Sequence, residues 1–393
     1  MTDVVYDVLI VGGGPAGSTL AWSLRNSGLR IAVLDKQTFP RDKVCAGWVT
    51  PAVMEEIGLD LDDYRQGRTL QPIYGFRVSR IGQREIEARY SKDETPASYS
   101  IRRSEFDHYL LERCGAEMIL GEKFKGMTKT DEGWIVNDKY QAKLVVGAGG
   151  HFCPVVREMG SKLGSSELIV AAQEIEFEMN EQQAAESPIE ADVPELLFCE
   201  DLQGYGWVVR KGNFLNIGLG REDNHKLSGH VATFRKMLIE QGKIPADTPE
   251  KFHGHAYILY PHATRPLLQD GVLIIGDAAG LAYPESGEGI RPAIESSLIA
   301  AQVIEQVKGD YSQTSLMKYK TELEARLGKR EGKEVMDYLP VWFKSSLAGV
   351  LLSTEWFVKK YVVERWFLHS NQAALITELS KPAELVEPAT KTV

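Results

Sequence analysis

Two short apolar runs in this chain each lead directly into a glycine turn. Val8-Leu9-Ile10-Val11 precedes Gly12-Gly13-Gly14-Pro15-Ala16-Gly17, and Val272-Leu273-Ile274-Ile275 precedes Gly276-Asp277-Ala278-Ala279-Gly280. Runs of this length bounded by turn residues predict strands buried on both faces. The first predicts a strand over Val4 to Val11, a helix over Ala16 to Asn26, and a second strand from Arg30 to Leu34 that ends in Asp35. Further strands are expected within 72–90 and 118–147, the latter a meander returning through Lys143 to Val146. Others are expected over Leu168 to Met179, Tyr205 to Arg210, Phe214 to Leu219 and Ala256 to Leu259. Helical spacing predicts helices over 104–115 with Ser104 as N-cap, over about 228–241, from Gly289 to Val307, and a charged one over 313–332.

This order predicts an α/β protein carrying a β-rich insertion. A Rossmann-like domain would use 1–70, 99–160 and 265–330, and a mixed-sheet substrate domain 71–98 and 161–264. A helical aromatic segment would follow over 331–379, with 380–393, rich in Pro, Glu and Lys, a disordered tail. The active site is expected where the two domains meet.

The first glycine turn has a physical reading. Gly12 permits a tight turn out of the strand, Gly14 lets a backbone approach a pyrophosphate, and Gly17 lets the helix pack on the strand. The helix beginning at Ala16 offers unpaired N–H groups and its positive end. Asp35, about 20 residues on, is placed to bind an adenosine ribose, and a carboxylate there disfavours the 2′-phosphate of NADP. One such turn says dinucleotide. The second, with Asp277 aimed at a ribityl hydroxyl, points to FAD, whose two halves each need a strand-to-turn contact.

Composition narrows the partners. The 393 residues are 43% hydrophobic and 25% charged, with a formal net charge of −10. No basic region suggests a nucleic-acid partner. Cys45, Cys114, Cys153 and Cys199 show neither a disulfide nor a zinc spacing, which fits a reducing cytoplasm. No signal peptide and no apolar stretch long enough to span a membrane is visible. The eight histidines form no metal-binding pattern. His253 and His255 fall on one face of a strand, expected to be solvated, and His151 is expected to be structural.

Several segments resemble the flavoprotein hydroxylase fold (group A, the FAD-dependent aromatic hydroxylases), and within it the geranylgeranyl reductase family. Phe39-Pro40-Arg41-Asp42-Lys43-Val44-Cys45-Ala46-Gly47 is similar to that family's Arg-x-x-x-Cys-Gly-Gly segment, with Ala46 in place of the first glycine. Arg103-Ser104-Glu105-Phe106-Asp107 resembles the Arg-x-x-Phe-Asp helix start, whose arginine contacts FAD. Pro284-Glu285-Ser286-Gly287-Glu288-Gly289-Ile290 matches the second flavin motif, and Tyr205-Gly206-Trp207-Val208 with Asn216-Ile217-Gly218-Leu219-Gly220 resembles the substrate-domain signature. Gly149 stands where the hydroxylases carry the aspartate of an Asp-Gly motif that also serves NADPH docking.

The resemblance implies FAD held by Gly12, Gly14, Ala16, Gly17, Asp35, Arg41, Cys45, Ala46, Gly47, Arg103, Asp277, Pro284, Gly287, Gly289 and Ile290. It implies Cys45 against the flavin and Tyr205 with Trp207 in an apolar substrate cavity. Cys45 and Tyr205 are the candidate catalytic residues, and Pro284 is expected near the ring. The implied reaction is reduction of C=C bonds in a polyprenyl lipid or quinone side chain by hydride from flavin N5. The electron donor would be NAD(P)H or a ferredoxin-like protein. A monooxygenase acting on an aromatic or lipid substrate, and a non-catalytic flavin- or lipid-binding protein, are the alternatives. The aromatic stretch 335–370, with Tyr338, Trp342, Phe343, Trp356, Phe357, Tyr361, Trp366 and Phe367, reads either as a helical lid or as a peripheral membrane contact using Lys344, Lys359, Lys360 and Arg365.

Overall fold

The computed structural model describes residues 4–161, 167, 169–223, 225–330 and 349–380. The tail 381–393 and the aromatic residues Tyr338, Trp342 and Phe343, with Lys344, lie outside the described residues.

The first sheet runs in the order Leu268–Gln269, Val272–Ile274, Tyr140–Gly147, Val4–Val11, Ile31–Asp35, Glu117–Leu120. Val4–Val11 lies between two parallel partners, and Val8, Leu9 and Ile10 are fully buried, as their unbroken apolar run requires. Tyr140–Gly147 shares its other edge. The antiparallel flap Met127–Thr130 and Gly133–Val136 takes the first half, and Val272–Ile274 takes the second half in parallel. Val11, Gly147 and Ile274 are therefore level in register. Three chains leave the sheet together at its carboxyl end, where open α/β sheets bind their ligands.

Helix Pro15–Ser23 is buried along its whole length and packs on the long helix Ile290–Val307, with Ser297 Oγ donating to the Ala16 carbonyl at 2.8 Å. A Cβ on Gly17 would lie 1.9 Å from the Gly12 carbonyl oxygen, so only glycine allows this approach. Helix Arg103–Glu112 starts one residue earlier than expected. Arg102 holds the extended N-cap position, so Ser104 lies inside the first turn and does not cap it.

The second sheet runs His253–Ile258, Ile169–Glu178, Phe214–Arg221, Gly204–Lys211, Glu195–Phe198, Gly75–Arg80, Ile86–Arg89. Helix Leu227–Glu240 covers one face through Val231, Phe234 and Leu238. Against the other lie Trp48 and the C-terminal π-helix Val358–Phe367, through Val358, Val362, Val363 and Phe367. The described part of the aromatic stretch thus packs on the sheet as a cover, while Trp356 keeps 62% of its surface exposed. A small third sheet, Trp48–Val49, Ser98–Ile101 and Leu70–Ile73, ties the loop after the second strand into this arrangement. Among the described residues no helix is long and apolar enough to cross a membrane.

Candidate FAD and substrate site

A cavity of about 700 Å³ opens where the three strand ends meet the second sheet. Its cradle is built from backbone. Gly12 sits at φ +120°, and a Cβ there would come within 2.4 Å of the Ala148 carbonyl oxygen. Gly14 is the N-cap of the first helix and supplies no side-chain cap, and Pro15 has no N–H, so the Ala16 N–H is the first helical donor at the cavity wall. Asp35 accepts the Gly13 N–H at 2.8 Å and the Gln37 N–H at 2.9 Å. Each carboxylate oxygen retains a free lone pair for a ribose hydroxyl.

The second turn is a 3₁₀ segment, Gly276–Ala279. Asp277 keeps 22% of its side chain open. Its confined position pushes the carboxyl up, but His255, 3.7 Å away, together with Lys43 and Arg103, outweighs this and holds Asp277 below its ordinary value. Lys43 Nζ lies 2.8 Å and 3.0 Å from the two His255 ring nitrogens, and burial brings that amine down to about 8. Added Cβ atoms would strike Tyr257 from Gly287 at 2.4 Å and Asp277 from Gly289 at 2.8 Å. Both positions are cradles that a side chain would fill. A free helix end, a ribose-accepting carboxylate and an ionised aspartate beside bare backbone together fit FAD.

The Cys45 loop joins the two sheets. Arg103 grips Asp107 in two bonds of 2.8 Å and 2.9 Å, and Arg41 lies 3.3 Å from the same carboxylate. Burial works against the Arg103 charge, but Asp107 and the Cys45 sulfur reinforce it. The Gly47 N–H donates to Cys45 Sγ at 3.3 Å. The Cys45 N–H donates to Glu174, and its carbonyl accepts from Asn216 Nδ2 at 3.1 Å. Asn216 also reaches Glu174 at 3.1 Å and Glu176 at 3.2 Å, and accepts from Trp207 Nε1 at 2.7 Å. Lys211, fully buried, closes the network on Glu176 at 2.7 Å. Burial pushes Glu174 up to about 7, against the pull of Lys211.

Residues 5–330 match the FAD-binding domain family. The chain belongs to that family. It is a flavoprotein, an FAD-dependent oxidoreductase, and is similar in sequence to geranylgeranyl-type reductases. The digeranylgeranylglycerophospholipid reductase of Methanocaldococcus jannaschii is 26% identical over 331 residues, which are 80% of this chain and 81% of that protein. The menaquinone reductase of Mycobacterium tuberculosis is 27% identical over 76% of each chain. Among solved structures, a geranylgeranyl bacteriochlorophyll reductase-like protein from Thermoplasma acidophilum superposes with a TM-score of 0.71 at 21% identity, covering 96% of this chain and 94% of that one. A halogenase in complex with FAD reaches 0.65 at 17% identity, covering 83% and 75%. These two likenesses concern the fold.

In this flavoprotein the cavity wall gathers Gly12, Gly14, Ala16, Asp35, Arg41, Cys45, Ala46, Gly47, Arg103, Asp277, Gly287, Gly289, Ile290, Tyr205 and Trp207. Gly17 lies behind it, in the helix–strand contact. Pro284 is exposed and outside the cavity lining, so the expected packing against the ring is not what the structure places there. The Tyr205 hydroxyl donates to the Ser286 carbonyl at 2.5 Å, so its proton is already engaged. His255 is the main correction. It turns into the cavity toward Asp277, while His253 is exposed. His151 is buried against Arg265, and burial, then the Arg265 charge, brings it down to about 4. Sequence reasoning missed Glu174, Lys43 and Glu288. The last two lay inside quoted motifs, and a charged residue between glycines or two positions before the motif cysteine was the available signal.

Proposed function

We propose that the chain reduces C=C bonds in the polyprenyl chain of a lipid or of a quinone. One observation carries this reading. The glycine loop Gly287–Gly289 and the Cys45 loop share a cavity with an aromatic wall of Trp48, Tyr205, Trp207 and Tyr257. Such a wall suits an apolar chain with little to hydrogen-bond. The names of the curated relatives, a digeranylgeranylglycerophospholipid reductase and a menaquinone reductase, support the same substrate class.

Reduced FAD in this cradle would supply hydride from N5. The chain's own part is to orient and to exclude water. Asp277 and the bare backbone at Gly287 and Gly289 hold the cofactor. The Glu174–Asn216 pair fixes the Cys45 backbone, and Arg103 sets the field at its sulfur. The division into a flavin domain (1–70, 99–160, 265–330) and a substrate domain (71–98, 161–264) belongs to this proposal, as does a donor of the NAD(P)H or ferredoxin class.

Dithionite-reduced protein is expected to turn over geranylgeranyl lipids or menaquinone without oxygen. An absolute requirement for O₂ would overturn the reductase reading. Cys45→Ser should retain flavin and lower turnover. Unchanged turnover with bound flavin would remove Cys45 from the reaction.

A further inference from the structure

Hydride addition to an alkene leaves one carbon that must take a proton. Apart from the Cys45 thiol, whose sulfur accepts the Gly47 N–H, the residues proposed above for this site supply no evident acid. The Tyr205 proton is donated to the Ser286 carbonyl, and burial raises that hydroxyl far above its ordinary range. Burial also raises Tyr257. Asp277 is held ionised, and the Lys43 ammonium is engaged by His255.

Glu288 differs from all of these. It lies in the cavity wall between Gly287 and Gly289. Both carboxyl oxygens are buried, and neither makes a hydrogen bond of normal geometry. Such an orphan is costly as a carboxylate and much less so as a neutral acid. The groups around it come from three elements. Tyr205 faces it from the second sheet and Tyr283 from its own loop, while Arg291 and Glu295 face it from the long helix. Burial pushes the carboxyl up. The Arg291 charge, with the approaching Arg291 amide, pulls it back, and Glu295 pushes it up again. The result is about 7, which leaves a large protonated fraction at neutral pH.

We propose that Glu288 is the proton donor of the reaction, a catalytic residue that delivers its carboxyl proton to the alkene carbon opposite the hydride. This rests on the reductase reading above. The hydride, with its electron pair, adds to one alkene carbon from reduced FAD. The Glu288 O–H bond breaks, and its proton bonds to the other carbon. The alkene becomes an alkane unit and FAD is left oxidised. A solvent proton returns to the Glu288 carboxylate, and two electrons restore the flavin, delivered together as hydride by NAD(P)H or one at a time in two transfers from a ferredoxin-type donor with a proton from solvent. A carboxylic acid held neutral in an apolar site is a recognised way to run acid chemistry at neutral pH.

Two measurements test it. Infrared titration of the cofactor-free protein should show one fewer carboxyl ionising near neutral pH in Glu288→Gln than in the wild type, with Glu174 and Glu56 contributing to both. The same titration in both proteins overturns the proposal. Anaerobic single-turnover reoxidation of the dithionite-reduced holoprotein by geranylgeranyl diphosphate is the second. The wild-type rate should fall as pH rises through about 7, because the acid form is consumed. Glu288→Gln should be about 10²-fold slower with unchanged flavin content and no such limb, and Glu288→Asp should recover part of the rate. An active wild type with an equally active Glu288→Gln sinks the proton-donor role alone. A wild type inert to every prenyl probe sinks the reductase reading, and this role with it.

Discussion

Arg291→Met should lower the stability of the protein by about 3–5 kcal/mol, the cost of removing one partner from a buried ion pair. Arg291 is 1% exposed and lies 3.2 Å from Glu56 and 2.9 Å from Glu295, both fully buried. It also donates to the carbonyls of Gln372 and Ala373 at 2.8 Å and 3.0 Å. Methionine fills similar space but leaves two carboxyls sharing Arg326, which bonds Glu295 at 2.6 Å. Burial first, then Glu295, already pushes Glu56 up to about 8. Its folded proton affinity thus exceeds the unfolded one. The contribution is full below about pH 4.5 and is lost as pH rises through about 8. Losing Arg291 should steepen that decline. Urea unfolding at pH 5 and pH 8 reads both effects, and an unchanged midpoint at both would refute the assignment.

Asp277→Ala should emerge from purification colourless. The aspartate is ionised, and it is positioned by His255 at the turn level with the end of Val4–Val11. A hydrogen bond to a charged acceptor contributes about 1.5–3 kcal/mol, so its loss should weaken FAD by about 10- to 150-fold. The absorbance ratio of flavin to protein, followed by titration with added FAD, measures it. Protein that stays fully yellow would mean that the second glycine turn does not hold the cofactor.

Much of this arrangement was written in local pattern. The apolar runs ending at Val11 and near Ile274 named two strands, and the glycines after them named the cradle, because backbone geometry permits few other residues there. What stayed hidden depended on which face a polar residue meets. Glu174, Glu176 and Glu178 alternate with Ile175 and Phe177, a pattern that reads as a wet face. Glu178 is exposed, yet Glu174 is 6% exposed beneath the Cys45 loop. His255 was hidden for the same reason, since its partners Lys43 and Asp277 are far away in sequence. The short strand Glu195–Phe198 carries a buried acid, Glu195, matched by Arg77 at 2.8 Å. Pairings of this kind are set by tertiary contact and leave no local period.

The stretch that packs on the second sheet through Phe367 goes on to the first layer. There the Leu375 N–H donates to Glu56 at 3.1 Å, and the Leu379 carbonyl accepts from Arg25 at 3.4 Å. Translation runs in the opposite sense to this assembly. Both layers leave the ribosome before the segment that fastens them is made. Until then Arg291 has no Gln372 or Ala373 carbonyl to hold, and the apolar face around Trp48 and Phe76 has no cover. The nascent chain therefore passes through an interval in which its first sheet can form while this face of the second sheet is exposed, and chaperone demand should peak there.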